Sequence, residues 1–357
     1  MTFKAVGRTP GRHCLSALAT LVLLVCLLVA FVAAQVPAQS TPASGQASTP
    51  VAQQDRTGKK PDVASPEDWK TLSVKGLGWE TLQMPGGTVE RPEFTREYVR
   101  LQWRLGDPVD VVVVLPKGVK KPNVVLYLYS YPGDTSRFTN DLWCKGATEG
   151  GVAAVGFLSA LTGERYRGNR PMKEWFVSEL QESLGTTTHD VQMVLNYLEK
   201  RGDVNAERVG MYGQGSGATI AILAASVDSR IAVLDLLNPW GDWADWMKQS
   251  ALVPDKEQPA YLRPEFLEKV ATLDPVQILP KLRTPIVRIQ QVADDPITPA
   301  TARERIAAAA PRGAQMLQSE NLTAYKKTWQ EKKLWNWVKE QFEHLPVHDS
   351  AQVAASP

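Results

Sequence analysis

Residues Arg208–Ala218 read RVGMYGQGSGA, and this stretch decides the fold. The apolar run Val209–Tyr212 predicts a buried strand and Ser216–Ser226 predicts a helix, with only a glycine-rich turn between them. A strand passing straight into a helix through such a turn has the form of a nucleophile elbow, G-x-S-x-G. There the residues two before and two after the apex must be small. Gly213 and Gly217 take those places, which puts Gly215 at the apex, and glycine has no side chain with which to attack. Ser216 comes one residue late: at that place the backbone N–H serves an oxyanion hole while the side chain points elsewhere. A second register puts Ser216 at the apex, between Gln214 and Ala218, and crowds a small position with glutamine. Two further readings are a plain glycine-rich turn and a phosphate loop. The latter lacks both the Lys-Ser/Thr ending and the GxGxxG spacing.

Working outward, Tyr98–Trp103 and Val109–Leu115 look like antiparallel strands. Asn123–Tyr129, Val152–Leu158, Ile231–Leu237, Pro285–Val292 and Ala314–Leu317 read as further strands. Helices are predicted over Thr188–Lys200, Ala300–Ala309 and Thr328–Phe342, the last with Leu334, Trp335, Val338 and Phe342 on one face. Continuous apolar strands alternating with amphipathic helices imply an α/β architecture: a mostly parallel sheet flanked by helices on both faces.

From Tyr98 to Phe342 the chain resembles the α/β-hydrolase superfamily, nearest its dienelactone-hydrolase, esterase and prolyl-peptidase-like branches. The resemblance rests on Asp190–Leu198 (DVQMVLNYL), on the elbow, and on the strand-plus-acid segment Val292–Pro299 (VADDPITP). It implies the α/β-hydrolase fold with a small cap insert, and a triad in the order nucleophile, acid, histidine. Asp295 then matches the acid, with Asp294 as the neighbour able to take its place; a turn or helix-cap role ahead of Pro299 is the plain structural alternative. The histidine should follow the last strand, within Gln318–Lys326, but QSENLTAYK contains none. His344 and His348 come too late and His13 lies in the N-terminal segment. His189, at a helix start ahead of the elbow, suits a surface or capping role. Tyr325 and Lys326 are the groups in that loop that could act as a base in its place, though no sequence pattern points to either. The family's His-Gly-Gly oxyanion loop is replaced by Tyr129-Ser130-Tyr131-Pro132-Gly133, making Ser130 and Tyr131 its equivalents. Nucleophile, base and oxyanion loop depart together, which predicts loss of hydrolytic chemistry. Removing a triad serine or histidine alone costs roughly a million-fold in turnover.

Trp240, Trp243 and Trp246 recur every three residues where the family inserts its cap. They either pack the cap onto the body or form the aromatic wall of a ligand cleft, beside Asp242 and Asp245, suited to a sugar, a peptide or an aromatic molecule. The Glu164–Arg170 loop, ERYRGNR, is either an anion site or a solvated basic loop.

Composition sets the frame. The 357 residues are 43% hydrophobic and 22% charged, an ordinary globular balance, and the net charge of +2 argues against nucleic acid as a partner. Cys14 and Cys26 lie in the N-terminal segment, leaving Cys144 alone in the body, where a small buried apolar role is expected. Lys4, Arg8 and Arg12 precede the apolar run Leu15–Ala34, and Val32-Ala33-Ala34 offers a cleavage site. Residues 1–34 therefore read as a signal peptide or an uncleaved anchor, with the body exported: periplasmic or extracellular. Residues 35–65 read as a disordered linker, 66–345 as the folded domain and 346–357 as a disordered tail. The expected function is that of a degenerate hydrolase acting as a binding or scaffold protein for a small molecule, glycan or peptide. No cofactor or metal is expected, and membrane contact only through the N-terminal segment. Two alternatives stand beside it: a divergent serine hydrolase of esters or peptides using Ser216 with Asp295, and a non-hydrolytic acid–base enzyme in the same cleft.

Overall fold

The computed structural model describes residues 72–73, 81–103, 107–130, 135–161 and 180–345. The expectations for 1–34, 35–65, Tyr131, 164–170 and 346–357 lie outside the described residues. In chain order the strands are β1 (Leu82–Glu90), β2 (Phe94–Gln102), β3 (Val109–Pro116), β4 (Asn123–Leu128), β5 (Ala153–Phe157), β6 (Asn205–Gln214), β7 (Ile231–Leu237), β8 (Ile286–Val292) and β9 (Gln315–Ser319). The α-helices are α1 (Asp141–Thr148), α2 (Leu180–Arg201), α3 (Ser216–Val227), α4 (Trp243–Gln249), α5 (Gln258–Tyr261), α6 (Pro264–Ala271), α7 (Pro275–Ile278), α8 (Ala300–Ala309), α9 (Leu322–Glu331) and α10 (Trp337–Glu340).

Among the described residues the strands make one sheet in the order β1-β2-β3-β5-β4-β6-β7-β8-β9. β1, β2, β3 and β5 pair antiparallel; from β5 onward every pairing is parallel. β5 and β7 are buried along their whole length, as strands covered on both faces must be, and this is why they read as unbroken apolar runs. Val124, Leu126 and Leu128 of β4 pack with Val191 and Leu195 of α2 and Ile220 and Leu223 of α3. Their neighbours Val125 and Tyr127 pack on the opposite face with Cys144 of α1 and Val338 of α10. Helices α4 to α7, inserted between β7 and β8, form the small cap.

Two expectations need correction. The closing helix over 328–342 is broken. Asn321 caps α9 through its side-chain oxygen, which accepts from the Ala324 N–H at 2.8 Å. The chain then turns at Lys333, with φ 46, into short 3₁₀ and α segments. The apolar spacing of Leu334, Val338 and Phe342 reflects one buried side along that broken path. His189 is buried rather than a surface or cap residue: it is 1% exposed in α2, with its ring edge-on to Trp103 at 6.0 Å.

The sheet face beneath α1 and α10 carries a polar row. Tyr127, Tyr212, Asp235 and Arg288 are successive register partners across β4, β6, β7 and β8. Arg288 donates from Nε and Nη2 to the two Asp235 oxygens at 2.9 and 2.6 Å, with side chains 2% and 1% exposed. Gln290 Nε2 donates to Asp235 Oδ1 at 2.7 Å. Arg288 Nη2 also reaches the Leu334 carbonyl at 2.9 Å, and its guanidinium lies 4.3 Å from the centre of the Trp337 ring. Burial pushes the Asp235 carboxyl above its ordinary range while Arg288 pulls it back.

Lys339 is the buried cation of α10. Its Nζ donates to the Gly146 carbonyl at 2.6 Å and to Asn336 Oδ1 at 3.3 Å. Burial lowers the ammonium from its ordinary 10.5 to about 8. Between those values the unfolded chain binds the extra proton, so stability rises with pH there. Set against Lys339→Met, the wild type is expected to gain up to roughly 3 kcal/mol between pH 8 and 10.5. Urea titrations of both proteins across that range check it. Equal slopes for the two would show that Lys339 titrates as it does in the unfolded chain.

Candidate active-site cleft

The strand-to-helix junction forms where β6 meets α3. Gly215 stands between them at φ 55, ψ −119, a conformation that strains any residue with a Cβ. Its N–H donates to the Leu237 carbonyl at 2.8 Å, and its carbonyl accepts from Ala218 and Thr219 at 3.0 and 3.1 Å. The flanking glycines are required by contact. A Cβ on Gly213 would lie 2.5 Å from Ala218 Cα, and one on Gly217 would run into the Leu128 carbonyl, 2.7 Å from its carbon. This is the close approach of helix to strand that such a turn demands.

Around Gly215 lies a cleft of about 560 Å³ at the carboxyl ends of β6, β7 and β8, the side on which open α/β sheets place their sites. Ser130, Gln214, Asn238, Trp240, Asp294, Asp295, Leu322 and Tyr325 are among its lining residues. Ser130 fills the place that a nucleophile would take: a Cβ built on Gly215 would overlap Ser130 Oγ, lie 2.7 Å from Ser130 Cβ and 3.1 Å from Trp240 Nε1. Ser216 is fully buried as the first residue of α3 and is absent from the cleft lining.

Asp295 is half-buried, with both carboxylate oxygens engaged by its own surroundings. Oδ2 accepts from Asn238 Nδ2 at 2.9 Å and Oδ1 from the Ile297 N–H at 3.2 Å. Asn238, in the left-handed region at φ 45, clamps the acid loop to β7: its Oδ1 accepts from the Val292 N–H at 2.9 Å and its own N–H donates to the Gln290 carbonyl at 2.9 Å. Arg303 ties the same loop through the Ala293 carbonyl at 2.6 Å and the Thr298 carbonyl. Asp294 is exposed and accepts from the Leu322 N–H at 2.9 Å. Leu322, at the start of α9, thus occupies the segment where the family places its histidine. Among the described residues His189 and His344 lie elsewhere, and neither lines the cleft. Tyr325 lines it and is buried, and burial pushes its phenol well above the ordinary value, so it stays protonated.

Trp240, Trp243 and Trp246 are all buried, at 1%, 2% and 0% exposure; Trp246 packs on both Trp240 and Trp243, and only Trp240 is among the cleft's lining residues. The expected three-ring wall is not formed, because all three rings pack into the main hydrophobic core together with residues of the sheet and α3. Asp242 pairs with Arg305 at 3.1 Å outside the cleft. Sequence reasoning placed Ser130 in the oxyanion loop but missed that it fills the apex space, and it missed Asn238 and Leu322 altogether. The Asn-Pro pair at 238–239, a turn signal directly after a buried strand, marks Asn238; no sequence pattern marks Leu322.

No protein-family model and no curated protein matches the sequence. Solved structures do. An acetyl xylan esterase from Paenibacillus sp. superposes with a TM-score of 0.59 at 16% identity, over 80% of this chain and 96% of that one. Acetyl xylan esterase 1 from Thermoanaerobacterium sp. gives 0.58 at 12% identity, over 74% and 90%. An acylaminoacyl peptidase from Pyrococcus horikoshii gives 0.54 at 12% identity, over 70% of this chain and 41% of that one. With the sheet order and the strand-to-helix turn already described, these likenesses show that the chain has the α/β-hydrolase fold.

Proposed function

We propose that this chain is an exported binding protein built on the α/β-hydrolase fold, without the hydrolytic chemistry of that fold. One observation carries the reading: Gly215 holds the apex of the turn, and the side chain of Ser130 fills the place of the absent nucleophile. Leu322 in the histidine segment and the inward hydrogen bonding of Asp295 support it. Ser216, buried away from the cleft, is poorly placed to act in its stead. The cleft, with Asn238, Asp294 and Gln214 in its lining, suits a polar ligand such as a glycan or peptide. Two of the structural neighbours are named an acetyl xylan esterase and an acylaminoacyl peptidase, which is in keeping with that choice. Export rests on the basic and apolar N-terminal segment.

The test is covalent labelling. Incubated with a fluorophosphonate, the purified protein is expected to give no serine adduct by mass spectrometry, and no turnover of p-nitrophenyl acetate above that of an inert protein. An adduct at Ser130 or Ser216, lost on changing that serine to alanine, would sink the proposal.

A further inference from the structure

A second cavity, of about 440 Å³, lies on the sheet face beneath α1, α9 and the 334–338 segment. It meets the cleft only at Gln214, Leu237, Leu322 and Tyr325. Aromatic rings make much of its wall. The Tyr127 ring lies edge-on to Trp143 at 5.3 Å and 6.0 Å from Tyr212, which lies 5.9 Å from Tyr129. Polar groups in that wall turn to one another. Arg288 and Gln290 both donate to Asp235. Trp143 Nε1 donates to the Tyr129 hydroxyl at 2.7 Å, and the Arg137 guanidinium lies 4.3 Å from the centre of the Tyr129 ring. Burial keeps the phenols of Tyr127, Tyr212 and Tyr325 un-ionised. Water entering such a space finds few partners, so ring faces and edges are what the wall offers a ligand.

The mouth gives independent information. Of six large hydrophobic side chains exposed among the described residues, three line this one cavity: Leu142, Leu322 and Trp329. Trp329 packs on Trp335 there at 4.4 Å. Exposed apolar groups gathered at one opening mark a surface built to meet an apolar guest. Charge selects against an ionic one. Arg137 and Lys326 line the cavity and repel a cation, while the carboxylate of Asp235 is neutralised by Arg288. An anion would have to leave water for a wall of rings. Arg137 is already engaged on Tyr129, and Lys326 is exposed and screened by solvent, so neither offsets that cost.

We infer that this cavity is a binding site for an uncharged aromatic molecule, one that enters past Leu142 and Trp329 and packs against the rings of Tyr127, Trp143 and Tyr212. The volume suits a fused bicyclic ring system. The site goes beyond the cleft around Gly215, and it stands whether or not that cleft retains chemistry.

Equilibrium dialysis of the full chain at neutral pH tests it, with each probe quantified by chromatography. Quinoline is the uncharged bicyclic probe; 1-naphthoate and N-methylquinolinium carry a negative and a positive charge on rings of the same size, and 1-octanol supplies an aliphatic chain. Quinoline is expected to bind at sub-millimolar concentration, roughly tenfold more tightly than each of the other three. Gly146→Leu places the site. A Cβ there meets nothing within 4 Å and the residue lines the cavity, so the variant should fold, keep its thermal midpoint and weaken quinoline roughly tenfold. Trp329→Ala, at the exposed mouth, should weaken it several-fold. Quinoline that does not bind, or that binds no more tightly than any one of the other three, overturns the inference. So does binding left unchanged by folded Gly146→Leu; if that variant does not fold, unchanged binding to Trp329→Ala overturns it instead. Fluorophosphonate labelling reads the cleft separately, so the two ideas fail independently.

Discussion

Gly215→Ser is expected to lower stability by about 3 kcal/mol, and Ser130→Gly in the same chain to recover part of that loss. Two contributions add. A side chain at φ 55, ψ −119 is strained by roughly 1–3 kcal/mol. The new Cβ also enters space held by Ser130 and crowds Trp240 Nε1 at 3.1 Å, and overpacking of this kind costs roughly 1–3 kcal/mol. Only the second contribution involves Ser130. Urea unfolding of wild type, both single variants and the double variant should therefore show a favourable coupling of about 1–2 kcal/mol between positions 130 and 215. Strict additivity would mean that Ser130 does not fill the apex space. The same cycle bears on chemistry: a serine placed at 215 has room to act only when position 130 is cleared.

Arg288→Met should be more damaging, by about 3–5 kcal/mol at neutral pH. It leaves the Asp235 carboxylate 1% exposed without its cation, and removes both the hydrogen bond to the Leu334 carbonyl and the stacking on Trp337. In that variant Asp235 can regain stability only by taking a proton. Its folded pKa then lies above the unfolded value, so the protein is least stable relative to wild type at pH 7 and recovers as pH falls toward 4. Changing Asp235 to leucine as well removes the stranded charge and should restore most of the loss, because an apolar pair can replace a buried ion pair at little cost. Urea midpoints of the three proteins at pH 7 and pH 5 check both statements. A deficit unchanged by pH, or by the second substitution, would mean that Asp235 is solvated when its partner is gone.

Much of the fold was written locally. Ile231–Leu237 and Ala300–Ala309 run between the residues expected, because unbroken apolar strands and alanine-rich helices carry their own boundaries. β1 was invisible: Leu82–Glu90 is exposed along most of its length and contains a bulge at Pro85–Gly87, so neither alternation nor an apolar run marks it. The first part of α9, up to Lys326, reads as loop and Thr328–Phe342 as one unbroken helix, because the αL turn falls at Lys333 without a glycine or proline to announce it. At the site, the glycine spacing of 213, 215 and 217 is a property of the backbone and is legible in one strand and one turn. The position of Ser130 is not. It depends on how the end of β4 at Leu128 meets the end of β6 at Gln214, which are far apart in the chain and adjacent only in the sheet. The burial of Trp240, Trp243 and Trp246 likewise belongs to the packing of their segment on the sheet and α3, since three-residue spacing fits an inward face as well as an outward one.

Arg288 also ties events in time. Its acceptor at Leu334 and its stacking partner Trp337 arrive some fifty residues after it in the chain, so a nascent polypeptide that has completed β8 still lacks the groups that accommodate a guanidinium in the interior. Until the final segment emerges, the innermost charged pair of the sheet is a reason to remain open. Chains cut short before Leu334, by truncation or proteolysis, should then persist as substrates for chaperones and proteases and not as slightly weakened copies of the whole.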